Sequence, residues 1–406
     1  MPNKKTNSIL CRYCEIALKK GNRSMFERIL VENITRSLDG GAELTPARVR
    51  GRLWLHSKRG AFDDAELALL KERLSKTYGL ASFSPGISVE PDMEAIEEAA
   101  LAISEEPLSA LLAEKSSPSF RIRARRSDKS FPARSKEVEI RLATVLANRF
   151  DEENRLRVDL EKADFTLGCE IRKGNAFLFI ESYPAPGGLP PGSNGSVLAL
   201  LSGGIDSPVA CAMLMKRGCR VDFITFHSHP YTPERSVAKV EEIAEVLNRL
   251  QAPGKLFVCN LAEIQKKVRD NCSPRFRTIL YRRFMFRVAE AVARRNGDAA
   301  LATGEAIGQV ASQTISNLSV IDAATELLVL RPLLGLDKEE IIETARAIGT
   351  FDISIEQVPD SCTVFAPDSP ATRSTLKKIL FEEAKLDVDT LLEETIAKTI
   401  DDAEKP

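Results

Sequence analysis

This sequence has almost no excess of charge of either sign. Its 57 Lys and Arg stand against 58 Asp and Glu, a net charge of −1. No global basic field therefore draws it to nucleic acid or to an anionic membrane, and any such surface must be a local patch. Long apolar runs are also missing. None approaches the roughly 20 residues of a membrane span, and the polar start, Met1 to Ser8, has no signal-peptide core. The eight cysteines are scattered and suggest no disulfide framework. That usage fits a reducing compartment, so a cytoplasmic protein without membrane attachment is expected. Cys11-Arg12-Tyr13-Cys14 has CxxC spacing, but no second pair follows at metal-site spacing. It lies in a strand-like stretch where i and i+3 point to opposite faces, so a structural role is expected and no metal site.

What is present is the composition of a soluble globular chain, 43% hydrophobic and 28% charged over 406 residues, enough for two or three domains. Residues 1–76 alternate strand and helix signals: a strand over Ser8–Tyr13, a helix over Asn22–Leu38, a strand over Arg48–His56 and a helix over Phe62–Tyr78. The order β-α-β-α suggests a small ferredoxin-like unit. In residues 77–183, Met93–Leu101 and Glu137–Phe150 read as helices, and Phe165–Ile180 as two strands about a Lys173-Gly174-Asn175 turn. Ser119–Arg126 alternates basic with mostly apolar residues, which predicts a strand with one cationic face. From Ser119 to Arg141 there are eight Lys and Arg against three Asp and Glu, a local patch suited to a phosphate backbone, although a solvated charged face is the commoner meaning of such a run. Tyr183 to Gly195, dense in Pro and Gly, reads as a linker, with 184–196 separating the domains.

Residues 197–406 begin with the stretch around which the chain is organised. Val197 to Leu201 is an uncharged apolar run, as in a buried parallel strand. Ser202-Gly203-Gly204 forces a turn that brings backbone N–H groups close to a ligand. Asp206 and Ser207 can cap a following helix, and Pro208 suits its first turn. Strand, glycine turn and helix N-terminus make an anion site. No Gly-Lys-Ser/Thr follows, so it is not a Walker A loop. Strand-like Val221–Phe226, Leu256–Asn260 and Ala299–Thr303 alternate with helices over Ser236–Leu250, Arg275–Arg295 and Lys338–Ala347. This is the pattern of a doubly wound α/β domain with a parallel sheet, where ligands bind at the carboxyl ends of strands. Thr225-Phe226-His227 and Thr303-Gly304-Glu305 occupy such ends.

Ser202-Gly203-Gly204-Ile205-Asp206-Ser207 resembles the PP-loop of the ATP pyrophosphatases, which transfer AMP to an oxygen and release pyrophosphate. Other stretches resemble one family within that group, the tRNA 4-thiouridine synthetases (tRNA sulfurtransferases). Arg12-Tyr13-Cys14-Glu15 with Lys19 and Asn22-Arg23 is similar to that family's opening signature, with Cys14 where the family usually has glycine. Phe120 to Pro132 resembles its THUMP RNA-binding domain. Thr303-Gly304-Glu305-Ala306-Ile307-Gly308-Gln309 through Thr314 matches its most distinctive block, followed by Leu330-Arg331-Pro332-Leu333 and Asp337-Lys338-Glu339-Glu340. Asp360-Ser361-Cys362-Thr363-Val364-Phe365 matches the segment bearing the family's sulfur-carrying cysteine. The resemblance runs from about residue 8 to 375. It implies a ferredoxin-like domain and THUMP gripping tRNA, and a PP-loop domain adenylating uridine 8. The chain ends at Pro406, soon after Cys362, so the short form without a rhodanese domain is expected.

The uracil C4 carbonyl is a poor leaving group until AMP is placed on its oxygen, at the cost of one ATP, with Mg²⁺ neutralising the phosphates. Backbone amides near Ser202, Gly203 and Gly204 are expected to hold pyrophosphate, with Ser207 beside them. Asp206 is expected to orient the loop or bind Mg²⁺, a helix-capping role being the plain alternative. By the resemblance, Leu200, Leu201, Thr225, Phe226, Arg282, Gly304 and Gln313 line the ATP site. Arg121, Arg123, Arg125, Arg126 and Lys129 are the candidate tRNA contacts. Cys362, in a loop-like stretch, is the expected persulfide carrier, a persulfide being more nucleophilic than water. Cys169, Cys211, Cys219 and Cys259 lie in apolar runs and are expected to be buried. Cys272, in the polar turn Asp270-Asn271-Cys272-Ser273-Pro274, is the candidate resolving thiol. It has no CxxC partner, so no iron–sulfur cluster is expected. His227 and His229 lack a third ligand and are expected near ATP or substrate, not on zinc. The partners implied are tRNA, a cysteine desulfurase as sulfur donor, a sulfur-carrier protein for thiamine thiazole synthesis, and a second copy in a homodimer. Thiolation of a different nucleotide, or a tRNA-binding protein with a decayed catalytic domain, are the alternatives.

Overall fold

The computed structural model describes residues 6–403 except 50, 152, 359–364, 366 and 368. Cys362 therefore lies outside the described residues. The chain divides into two compact units, residues 1–188 and 189–406.

The first unit is built on one nine-stranded sheet. Its strands are β1 (Ser8–Arg12), β2 (Leu44–Val49), β3 (Arg52–Ser57), β4 (Ser82–Val89), β5 (Ser119–Arg126), β6 (Arg157–Val158), β7 (Phe165–Arg172), β8 (Asn175–Phe179) and β9 (Tyr183–Pro184). Their order is β2-β3-β1-β4-β8-β7-β5-β6, with β9 on β4. The first six elements run β-α-β-β-α-β, the ferredoxin-like order, with helices Arg23–Leu38 and Asp64–Ser75. The expected single strand over Arg48–His56 is instead parts of two, because Gly51 has φ +80°, a left-handed turn conformation that ends one strand and begins the next. The closing strand β4 lies beyond residue 76 and pairs with both β1 and β8, so the sheet continues unbroken into strands β5 to β8. Helix Met93–Glu114 runs past the expected Leu101 and through Pro107, since Ile96, Ala100, Leu108 and Leu112 keep one buried face at helical spacing. With helix Ser135–Phe150 it covers a core that includes Phe120, Ile122, Leu142, Leu167 and Leu178.

The Pro/Gly stretch is not a free linker. Its first part is hydrogen-bonded to the first unit, Gly187 N–H donating to Leu80 O at 2.6 Å, and its second part to the second unit, Leu189 N–H donating to Lys216 O at 2.9 Å.

The second unit carries five parallel strands, β10 (Ser196–Leu200), β11 (Arg220–His227), β12 (Leu256–Asn260), β13 (Ala300–Ala302) and β14 (Leu328–Leu330), in the order β12-β11-β10-β13-β14. The chain winds outward from β10 in one direction and then returns to start again at β13. The crevice outside the carboxyl ends of β10 and β13 is thus the topological switch point, where open α/β sheets bind ligands. Helices Asp206–Lys216, Arg235–Asn248, Arg277–Asn296 and Lys338–Ile348 match the sequence pattern. Ala262–Asn271, Ile315–Asp322, Leu376–Glu383 and Val388–Ala403 are additional. The main core joins Leu198, Ile224 and Leu301 of the sheet to Leu280, Phe284 and Val288 of one long helix.

Candidate active site

The PP-loop stretch folds as its residue types require. β10 stops at Leu200, Leu201 N–H donates to Ile224 O at 2.9 Å, and a helix starts at Asp206. Ser207 closes the loop: its Oγ accepts from Ser202 N–H at 2.9 Å and lies 3.1 Å from Ser202 Oγ. Gly204 N–H reaches Ser202 Oγ at 3.4 Å. Neither Gly203 nor Gly204 has a positive φ. The glycine that space demands is Gly304, at the end of β13. A Cβ there would stand 2.5 Å from Ser207 N and 2.6 Å from Ser207 Cα. The missing side chain lets the end of β13 rest on the start of the PP-loop helix.

At this switch point lies a cavity of about 530 Å³, within the range of small-molecule sites. Every residue expected at the ATP site lines it: Leu200, Leu201, Ser202, Gly203, Gly204, Ser207, Thr225, Phe226, Arg282, Gly304 and Gln313, with Asp206 beside them. These come from three strand ends, a long helix and a short turn, and only the fold assembles them. Gln313 is buried, and its Oε1 has no partner among the described residues. A buried unpaired acceptor costs roughly 1–3 kcal/mol, which a ligand N–H would recover.

Asp206 does not cap the helix. The N-cap is Ile205, and Asp206 is the first helical residue. Its Oδ1 accepts from Lys338 Nζ at 2.5 Å and its Oδ2 from Gln309 Nε2 at 2.9 Å. Lys338 opens its own helix beneath a capping box formed by Asp337 and Glu340. Arg282 and Arg283 part company. Arg282 lines the cavity and is ion-paired with Glu305. Arg283 is buried and held by Glu383 at 2.8 Å, so it faces away from any phosphate role. The roles of Lys338, Glu305 and Arg331 were not assigned from sequence. Each sits in a family-like block, yet nothing in the linear order says that they meet Asp206 or Arg282.

Of the two histidines, His227 lines the cavity, and burial followed by the nearby His229 holds it below the usual imidazole range. His229 is exposed and does not line it. No cluster of three or more His, Cys, Asp or Glu fit to hold a metal occurs among the described residues.

Cys272 departs from expectation. It is buried beneath helix Leu376–Glu383, which the sequence pattern did not reveal, and its Sγ–H donates to Glu382 O at 3.5 Å. Burial, then the charge of Glu382, pushes its thiol up to about 11. It is not the accessible spare thiol that its polar turn suggested. Cys169, Cys211, Cys219 and Cys259 are buried as expected, as is Cys11, whereas Cys14 is exposed. Cys362 lies outside the described residues, but Phe365 contributes to the cavity wall. Phe365 O accepts from Tyr281 OH at 3.2 Å, and its ring meets Tyr231 edge-on at 4.9 Å.

Strand β5 buries Phe120 and Ile122 on one face and turns Arg121, Arg123 and Arg125 to the other, while Arg126, at its end, falls in the phase of Phe120 and Ile122. The arginines do not act alike. Arg121 Nε donates to Thr166 Oγ1 at 2.9 Å, and its Nη1 donates to the carbonyls of Leu160 and Glu161. Arg126 holds the carbonyls of Phe131 and Ala133. Arg123, Arg125 and Lys129 are exposed, and their side chains make no hydrogen bond or ion pair among the described residues. Of the expected patch, these three are available to a ligand, and Arg121 and Arg126 are committed to local structure.

Three family models match the chain: thiamine biosynthesis protein (ThiI) over residues 192–388, the ThiI ferredoxin-like domain over 8–84 and the THUMP domain over 90–181. Curated relatives named probable tRNA sulfurtransferase include that of Halothermothrix orenii, 40% identical, with 96% of this chain and 97% of that protein covered. That of Moorella thermoacetica is 41% identical, with 96% and 95% covered. Among solved structures, a 4-thiouridine synthetase crystallised with RNA and bound ATP superimposes with a TM-score of 0.86 at 36% identity, covering 97% of this chain and 98% of that one.

Proposed function

The chain belongs to the tRNA sulfurtransferase family, and from that premise we propose that it uses ATP to replace O4 of tRNA uridine 8 with sulfur, giving 4-thiouridine. The single observation that carries this reading is the convergence of all the expected nucleotide residues on one cavity at the switch point, with Phe365, three residues past Cys362, in its wall.

The loop amides and the N-terminus of helix Asp206–Lys216 bind the phosphates, and Arg282 offsets their charge. Uridine O4 attacks the α-phosphate, pyrophosphate leaves, and C4 carries AMP. The outer sulfur of a Cys362 persulfide then attacks C4 and AMP departs. A second thiolate then attacks the Cys362 sulfur, so that its S–S bond to the base breaks, 4-thiouridine leaves and a disulfide forms at Cys362; buried Cys272 is not assigned as that thiol. Asp206 would hold a Mg²⁺ ion, which would neutralise the phosphates, since Mg²⁺ is commonly held by one or two carboxylates together with substrate phosphates.

A cysteine desulfurase supplies the persulfide sulfur, and Arg123, Arg125 and Lys129 contact the tRNA backbone. The description of the matching family model names thiamine biosynthesis. This favours a second role in passing sulfur to a small carrier protein.

The test is nucleoside mass spectrometry of tRNA from a host lacking 4-thiouridine that is given this gene or its Cys362→Ala or Asp206→Ala form. Restoration by the intact protein alone supports the reading. Restoration by Cys362→Ala removes that residue as carrier. No restoration by the intact protein, with its desulfurase present, points to a different base.

A further inference from the structure

The reaction as set out leaves Glu305 without a task. It stands just past the end of β13, in the cavity wall, and is only 3% exposed. Burying a carboxylate costs several kcal/mol unless other groups compensate it. Here the compensation is complete. Arg282 Nη1 donates to Oε1, while Arg331 Nε at 2.7 Å and Thr303 Oγ1 at 3.0 Å donate to Oε2. The Nη1 and Nη2 of Arg331 in turn donate to Asp322 at 3.1 and 2.5 Å. The result is a chain of alternating charge, Arg282, Glu305, Arg331 and Asp322.

Its two arginines differ. The Arg331 side chain is 7% exposed and spends both sides of its fork on carboxylates. The Arg282 side chain is 28% exposed, and among the described residues only Glu305 engages it. A guanidinium has five N–H donors in a rigid plane, so most of those on Arg282 remain unused at the cavity. A free arginine would lose about 2 kcal/mol of rotamer entropy on being fixed by a ligand. One already fixed by a buried carboxylate avoids much of that cost. The anchor is itself in register with the PP-loop, because the neighbouring Gly304 rests on the backbone of Ser207.

We infer that Glu305 is a positioning residue, which holds the guanidinium of Arg282 in the orientation that receives the nucleotide phosphates, with Arg331 and Asp322 holding Glu305. The inference rests on the reading of this cavity as the ATP site, and it deepens that reading.

A double-mutant cycle on the full-length protein tests it. ATP binding with Mg²⁺ is measured by calorimetry for the wild type, R282A, E305Q and the R282A/E305Q pair. Each single change is expected to raise the Kd about tenfold, with the pair no weaker than R282A alone, as for residues acting through one contact. If E305Q costs the same factor in both backgrounds, Glu305 acts on the nucleotide directly or through the fold, and the inference is overturned while the site stands. If E305Q tightens ATP binding, its charge repels the phosphates and the inference is again overturned. An unchanged Kd in R282A removes the premise itself and the inference with it. Should E305Q not fold, Glu305→Asp, which keeps a charge beside Arg331 and withdraws it by one methylene, is read by the same criterion.

Discussion

The ammonium of Lys338 lies 2.5 Å from Oδ1 of Asp206, which joins the first residues of two helices. A helix N-terminus carries partial positive charge. Asp206 suits such a place, and Lys338 does not. A cation at that position needs an anion close by, and the candidates here are Asp206 and, in a nucleotide complex, a phosphate. The two side chains are 22% and 46% exposed, so the pair adds little to stability. Lys338→Met is expected to lower single-turnover AMP formation by about 100-fold, the usual scale for one electrostatic donor, while the melting temperature hardly moves. Activity near wild type would make the pair a surface contact only.

Gly304 separates space from flexibility. A methyl group there meets the Ser207 backbone at 2.5 Å, where no flexible side chain can yield. Gly304→Ala is expected to cost about 1–3 kcal/mol in urea unfolding, as overpacking does, and to weaken ATP binding more than stability, because the PP-loop itself must shift. Unchanged ATP affinity would mean that the end of β13 can retreat without the loop.

The five basic residues of the THUMP segment should divide into two groups. Arg123→Ala and Arg125→Ala are each expected to weaken tRNA binding and to lower the salt dependence by about one unit of log–log slope, as for a lost phosphate contact. Arg121→Ala leaves the carbonyls of Leu160 and Glu161 without their donor. It is expected to lower the melting temperature as well. Filter binding across a salt series, with thermal unfolding alongside, separates the groups, and equal melting losses in all three variants would defeat the division.

Burial holds the Cys272 thiol at about 11, so at pH 8 only a small fraction is thiolate, and its sulfur is covered. Iodoacetamide at pH 8 is expected to label Cys14 quickly and Cys272 only after denaturation. The linkage has one sign. The fold favours the neutral thiol, so this contribution to stability is whole below the ordinary thiol pKa and is lost as pH rises toward 11. Cys272→Ala is expected to retain 4-thiouridine formation. Loss of turnover with preserved melting would instead return a redox role to this residue.

Much of the second unit was legible from its order of elements. Short, mostly apolar strands alternating with helices leave few topologies open. The block from Leu200 to Ser207 carries its own local reasons for a strand, a turn and a helix start. Other features were not legible. Gly51 hides a hairpin inside an alternating pattern, and Pro107 sits within a helix that packing sustains. Cys272 looks exposed in a polar turn until a helix from about a hundred residues later lies over it. Arg282 and Arg283 are adjacent and chemically identical, and the 100° step of a helix sends one to the cavity and the other to Glu383.

The sequence by itself determined most of the strands and the helices between them, where the anion-binding turn must lie and which family the chain resembles. These depend on periodicity, turn chemistry and local spacing, all of which act within a few residues. Only the tertiary structure decided that Asp206 faces Lys338, that Glu305 stands between Arg282 and Arg331, and that Arg123 and Arg125 are open where Arg121 is closed. Charges brought together from distant points in the chain acquire their partners from the packing of strands and helices, and no local rule of sequence specifies that packing.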